Sequence, residues 1–462
     1  MKIYKYSLIF ALVIIMAMPA FAQKRGAKKE PNALMSSARI ALLANPPRYD
    51  EAMGLCNEVL ADNGPIPEAY FRRAIIYGEY ASEEYDPNKK LDFIKLMAAD
   101  FDSLHYSCDN KDLNIKKKYL KDCKDFVDQI DSLKVYFWRD NYNDALEMLT
   151  KIDDIYLPGF KNAADSSEKE IARGKLMLAC DSTKNYFNCA YASDPIDYRP
   201  IEGIGVVYDR LKQYDTSAIW FEKAHQMVPD STNIIQNIAY AYIRLKDWDN
   251  SIVWFQKLLE KIPDEVNIIA NIAICYNNKG MYDSAYAYNM KAIAIDTTSA
   301  DTYVDIGQYF LLMSQQYSDS AKMGQEANDI KASDKYEALR DQNLDSSAYY
   351  YGKAIQFDDS NILALSQYGV VVMIRSMFDE AISAFTKLTE LEPYKKGHWL
   401  NLGDALIKVG KFSEAIPPFE KASELDPGDI RILQTLSDLY ASNKMPEKAK
   451  QAKAKMEELQ KM

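Results

Sequence analysis

Histidine, surplus positive charge and long apolar runs are all scarce in this chain, and each scarcity removes a class of function. Three histidines, His105, His225 and His398, occur in 462 residues. None stands in H-E-x-x-H or a comparable spacing, so no metal centre is expected. Neither G-x-S-x-G, a phosphate-binding loop nor a dinucleotide fingerprint is present. The six cysteines, at 56, 108, 123, 180, 189 and 275, include no C-x-x-C, which argues against a zinc ribbon or a thioredoxin-like centre. They read as small buried apolar residues, and their spacing assigns no disulfide pair. Lysine and arginine number 56 against 67 acids, a net charge of −11, whereas a nucleic-acid partner calls for a basic surface. Carboxylate pairs such as Asp153-Asp154 and Asp358-Asp359 are what a solvated acidic surface contains. No catalytic residue, cofactor or metal is therefore expected, and the protein reads as a non-enzyme.

The one apolar run stands at the start, in MKIYKYSLIFALVIIMAMPAFAQ. Lys2 and Lys5 precede apolar residues 7–18, then Pro19, then Ala20-Phe21-Ala22 before Gln23. Charged, apolar and small segments in that order predict a signal peptide over residues 1–22, cut after Ala22. The run is short of the roughly 20 residues that span a bilayer, and no later stretch is apolar enough, so no membrane span is expected. With Gln rather than Cys after the cut, a lipid anchor is not expected either. The implied location is an exported compartment, the periplasm of a Gram-negative bacterium, where the protein is free or associated with the envelope. Lys24, Arg25, Lys28 and Lys29 make residues 23–32 a basic flexible tail.

The prolines then reveal a period. Pro195, Pro229 and Pro263 are 34 residues apart, as are Pro393 and Pro427. Counting back from each, an aromatic, a small residue, an aromatic and an apolar residue follow at steps of three, four and three. They are Phe412, Ala415, Phe419, Ala422; Phe378, Ala381, Phe385, Leu388; Trp248, Ser251, Phe255, Leu258; and Tyr214, Ser217, Phe221, Ala224. Such steps share one helix face. A second face lies earlier in each unit, as in Trp399, Leu402, Gly403, Leu406 and in Ile235, Ile238, Ala239, Tyr242. Proline ends one helix, and Asp, Ser or Thr beside it can cap the next. Two amphipathic helices per unit cannot bury their faces alone and must stack on neighbours.

This pattern resembles the tetratricopeptide repeat family, whose signature W-x-x-L-G-x-x-Y, A-x-x-x-F and P is met by Trp399, Leu402, Gly403, Ala415, Phe419 and Pro427, with Leu406 departing from the Tyr. The resemblance implies an all-α, right-handed solenoid of stacked antiparallel helix pairs, a superhelix. The regular array covers residues 164–462, ending in a lysine-rich capping helix. Over 33–163 the pattern is divergent: Tyr49, Ala52, Cys56, Val59 and Tyr142, Ala145, Leu149, Ile152 keep the steps, while the stretch between them reads as longer or irregular helices. A surplus at about 313–340 holds no proline and reads as a helical hairpin projecting about 21 Å at 1.5 Å per residue.

Function is expected on the concave face formed by the first helix of each pair. Two residues before the small contact residue of successive units stand Asn237, Asn271, Asp305, Gln367 and Asn401. Amides offer both donor and acceptor to a peptide backbone. The row resembles the asparagine ladder of peptide-holding tetratricopeptide superhelices, with Asp305 as a departure, and is expected to bind extended protein segments. A carboxylate clamp is not assigned, because Arg199, Arg244 and Lys408 fall at unmatched positions. The reading is an adaptor for protein partners, in an envelope or secretion-related complex. Two alternatives stand beside it: a holdase-like chaperone for exported chains, and a catalytic or ligand-binding function hidden before residue 164.

Overall fold

The computed structural model describes residues 30–84, 86–113 and 115–460, and its regular elements there are helices, with no strand among the described residues. The expected signal peptide lies outside them, as do residues 23–29. Helix α1 (Pro31–Leu42) begins inside the stretch read as a basic tail, and Pro31 is buried. Proline suits the first turn of a helix, where its missing N–H would have no partner. The chain divides into two compact units, up to Lys246 and from Asp247 onward.

In the first unit α1 is followed by α2 (Tyr49–Asn63), α3 (Pro67–Glu83), α4 (Pro87–Asp109), α5 (Cys123–Lys151), α6 (Leu157–Lys161), α7 (Ser166–Ser193), α8 (Arg199–Arg210), α9 (Tyr214–Met227) and α10 (Thr232–Leu245). The steps of three and four produce one inward face on α2, where Ala52, Cys56 and Val59 pack with Leu34, Met35 and Ala38 of α1 and with Ala69 and Ile76 of α3. Helices α4, α5 and α7 are longer, and with α3 they surround a second core of Phe71, Met97, Phe101, Ile130, Phe137 and Cys189. Cys108 at the end of α4 is joined to Cys123 at the start of α5 by a disulfide. Closing a loop of this size stabilises the fold by roughly 3 kcal/mol through the unfolded chain. The all-buried reading of the cysteines thus holds for Cys56, Cys180, Cys189 and Cys275, while the other two are cross-linked. Burial pushes the Cys56 and Cys189 thiols up to about 12.

The second unit holds α11 (Trp248–Lys261), α12 (Val266–Asn278), α13 (Tyr282–Ile295), α14 (Ala300–Glu326), α15 (Ile330–Phe357), α16 (Ile362–Ile374), α17 (Phe378–Leu391), α18 (Lys396–Lys408), α19 (Phe412–Leu425), α20 (Ile430–Ser442) and α21 (Pro446–Leu459). Side chains of Ser299, Asn361 and Asp429 accept backbone N–H groups at the starts of α14, α16 and α20. Those caps end one pair and begin the next. Within a pair, an aromatic ring from the second helix lies on the backbone of the first. A Cβ on Gly403 would stand 2.5 Å from the Phe419 ring, and one on Gly369 would stand 2.5 Å from the Phe385 ring. Only glycine permits that approach. The lysine-rich α21 closes the last pair by burying Ala449 and Ala452 against the core of α19 and α20.

Residues 313–340 belong to α14 and α15, of 27 and 28 residues against 13 or 14 in neighbouring helices. Small residues let these arms close on each other: Ser314, Ala321 and Ser333 are buried, and the Tyr317 and Tyr336 rings stack at 6.3 Å. Each unit is thus an all-α stack of antiparallel helix pairs, the solenoid arrangement.

Candidate functional site

The first helix of each pair buries two flanks against its neighbours and leaves one face open. On α16, Ala364 and Val371 pack with Val304 and Leu311 of α14, while Leu365 and Val372 pack with Leu402 and Leu406 of α18. The open face then carries Leu363, Gln367, Val370 and Ile374, at steps of four, three and four. The same positions hold Asn267, Asn271, Ile274 and Asn278 on α12; Asp301, Asp305, Gln308 and Leu312 on α14; and Gly397, Asn401, Asp404 and Lys408 on α18. The face therefore changes along the unit from amide-rich to acidic, then apolar, then mixed.

All four expected residues of this unit, Asn271, Asp305, Gln367 and Asn401, lie half-buried in the middle of that face. Asn271 turns one amide hydrogen back onto the Asn267 carbonyl at 2.8 Å. Burial, with Asp301 close by, pushes the Asp305 carboxyl up to about 6. No lysine or arginine among the described residues forms an ion pair with Asp305. Burial also raises the Asp404 carboxyl, and Lys408 one turn on opposes that rise. Gln308 accepts a hydrogen bond from the Tyr351 hydroxyl at 3.1 Å, which holds its side chain on the same face.

Asn237 belongs to the first unit, on α10, with Asn233, Tyr240 and Arg244 at the corresponding positions. It is already engaged, donating to Glu202 of α8 at 3.1 Å, and burial raises that carboxyl. Two of the three cations not assigned to a clamp lie in this unit and have partners. Arg244 pairs with Asp209, while Arg199 pairs with Asp197 and lies 4.3 Å over the Trp138 ring. In the divergent region, Arg73 Nε donates to Asp100 at 2.8 Å and Nη1 donates to Asn57 at 2.9 Å, tying α2, α3 and α4 together. Among the described residues no cluster of His, Cys, Asp or Glu is arranged to hold a metal ion, and no helix is long and apolar enough to cross a membrane.

Sequence reasoning overlooked the apolar stripe of α16. Leu363, Val370 and Ile374 are 54%, 38% and 57% exposed. The signal was present in ILALSQYGVVVMI, which is apolar on every side although a surface helix needs only one buried stripe.

A family model described as "Tetratricopeptide repeat" matches residues 376–430, from the end of α16 to the start of α20. Among curated proteins, the tetratricopeptide repeat-containing protein trd-1 of Caenorhabditis elegans is 29% identical over 101 residues, a match covering 22% of this chain and 13% of that relative's length. Solved structures with this fold include the C-terminal part of a tetratricopeptide repeat-containing protein from Cytophaga hutchinsonii, at 19% identity, covering 57% of this chain and 95% of that one with a TM-score of 0.42. Another is YrrB, whose description is "a TPR protein with an unusual peptide-binding site", at 18% identity, covering 46% of this chain and 96% of that one with a TM-score of 0.36.

Proposed function

We propose that this chain, a member of the tetratricopeptide repeat family, is a non-enzymatic scaffold that holds segments of partner proteins on the open face of its first helices. One observation carries the reading. In the second unit, consecutive pairs bring the same four positions into a series, with Asn271, Asp305, Gln367 and Asn401 half-buried along its middle. Helices packed in succession lie about 8 to 10 Å apart, and an extended chain rises about 3.3 Å per residue, so a segment laid across the helices meets one central polar group roughly every third residue. Amide side chains can donate to its carbonyls and accept from its N–H groups, which gives affinity without sequence preference.

The first residues bear on the place of work. Their order of charge, apolar run and small residues supports export to the periplasm, where a scaffold of this kind would assemble an envelope or secretion-related complex. The acidic balance of the chain disfavours nucleic acid as the partner.

Cross-linking of the full chain in intact cells, with mass spectrometry locating each cross-linked residue, tests the reading. Cross-links from one partner or a small set of exported proteins, concentrated around α12 to α18, are the expected result. Cross-links spread over many unrelated exported chains would replace the scaffold with a holdase. Partners that all map before residue 164 would move the functional site to the divergent region.

A further inference from the structure

We propose that α14 and α16 together recognise one kind of segment, an extended protein stretch that places a bulky apolar side chain on Leu363, Val370 and Ile374 and a lysine or arginine on Asp301 and Asp305. The inference rests on the reading of the first-helix face as the binding face and adds the chemistry of what binds there.

The apolar half follows from what α16 leaves uncovered. Its inward flanks are already filled by Val304 and Leu311 on one side and by Leu402 and Leu406 on the other. Leu363, Val370 and Ile374 belong to neither core, yet they line up on one face around Gln367. At these positions α12 carries one apolar residue, Ile274, between Asn267 and Asn278, α14 carries only Leu312, and α18 carries Gly397, Asp404 and Lys408, so a stripe of three is particular to α16 among these helices. A single exposed leucine needs no explanation, but three in register beside a polar anchor form a contact surface. With Gln367 bonding the backbone of the segment, the stripe would receive the adjoining side chain.

The cationic half follows from the neighbouring helix. Asp301 and Asp305 are one turn apart on the open face of α14, and the influences that move the Asp305 carboxyl are burial and Asp301, with no cation among them. Two acid pairs elsewhere in the second unit hold a cation between them, Asp341 and Asp345 with Arg375 and Asp426 and Asp429 with Lys396, which shows the arrangement that Asp301 and Asp305 would complete with a partner's cation. Two like charges at this spacing repel, and a guanidinium or ammonium group placed between them relieves the repulsion. The net charge of −11 favours the approach of such a segment and disfavours an acidic one. Because Val304 and Leu311 of α14 touch the flank of α16, the carboxylate pair and the apolar stripe lie on adjacent helices. That separation, about 10 Å, corresponds to about three residues of extended chain.

A phage-displayed library of random 12-residue peptides, panned on the full chain, provides the probe. The expected winners carry Leu, Ile, Met or an aromatic residue about three positions from Lys or Arg. A fluorescein-labelled synthetic copy of the leading peptide should bind the Leu363→Ser/Ile374→Ser protein at least tenfold more weakly. The same peptide should lose about three- to tenfold on the Asp301→Asn/Asp305→Asn protein, whose binding should also depend less on salt. The second pair keeps the test valid if the first impairs folding, because it removes charge and preserves shape. Winners that are acidic, winners without an apolar residue, or affinities unchanged by both double variants would overturn this assignment. The scaffold reading would stand in those cases, since peptides would still bind. A library yielding no binder would overturn the assignment as well, and the cross-links in cells would then decide the scaffold reading separately.

Discussion

The divergent region around α3 to α7 and the regular pairs from α16 to α19 solve the same packing problem at different helix lengths. In the regular pairs, Phe385 and Phe419 lie on Gly369 and Gly403, and every helix spans 13 or 14 residues. In the divergent region, Phe137 lies on Gly78 so closely that a Cβ there would stand 2.7 Å from the ring, yet α4, α5 and α7 run to 23, 29 and 28 residues. An aromatic ring over a glycine is therefore the shared device, and the repeat length is not. The longer helices add a disulfide, Cys108–Cys123, and an ion pair with a deeply buried acid, Arg73–Asp100, whereas the ion pairs of the regular part, Arg375 with Asp341 and Asp345 and Lys396 with Asp426 and Asp429, have more exposed acids. The regular part repeats the ring-over-glycine contact pair after pair, whereas the divergent part adds a covalent link and an ion pair with a buried acid to it.

The sharpest way to break that comparison is to remove a link. Asp100 has only 3% of its side chain exposed, so Arg73→Ala leaves a buried carboxyl without its cation. A loss of about 3 kcal/mol is expected from urea unfolding, together with faster hydrogen exchange confined to α2 to α4. The Arg73→Met/Asp100→Leu pair should recover most of it, because an apolar pair replaces the ions without leaving a charge. Next in size is Gly403→Leu, which forces a side chain into the Phe419 ring. It should cost about 1 to 3 kcal/mol by overpacking and loosen α18 and α19 while the divergent region keeps its protection.

A smaller effect concerns the face. The Asp305 carboxyl is raised in the folded state, from an ordinary 3.8 to about 6. Between these values the folded chain binds more protons than the unfolded one, so this group makes stability fall as pH rises from about 4 to 6. Asp305→Asn removes that dependence. Its melting temperature should exceed that of the parent at pH 7.5 by more than it does at pH 4, and an equal difference at both would show that Asp305 is not burdened by burial.

The sequence made the pair architecture legible because the packing residues recur at 34. Trp399, Gly403, Phe419 and Ala422 each occupy a place that only one register satisfies. The position of the central row was legible for the same reason: each member stands two residues before the small contact residue of its unit. Bonds between helices were not legible, since the donation from Asn237 to Glu202 depends on how α8 and α10 pack. Nor was the cysteine pair, because Cys108 and Cys123 are brought together by the turn between α4 and α5, outside any repeat register. The apolar stripe of α16 was not legible because the repeat register singles out only the packing residues, and periodicity alone does not separate a covered apolar residue from an uncovered one.

The most direct test of the central claim is the affinity of the cross-linked partner segment for the full chain with Asn271, Gln367 and Asn401 all replaced by Ala. These side chains sit on the open face, so helicity and melting should stay within about 0.5 kcal/mol of the parent's stability. Affinity should fall at least tenfold, as expected for the loss of several backbone hydrogen bonds at about 0.5 to 1.5 kcal/mol each. An unchanged affinity with an intact fold would contradict the account and move the binding surface off the first helices.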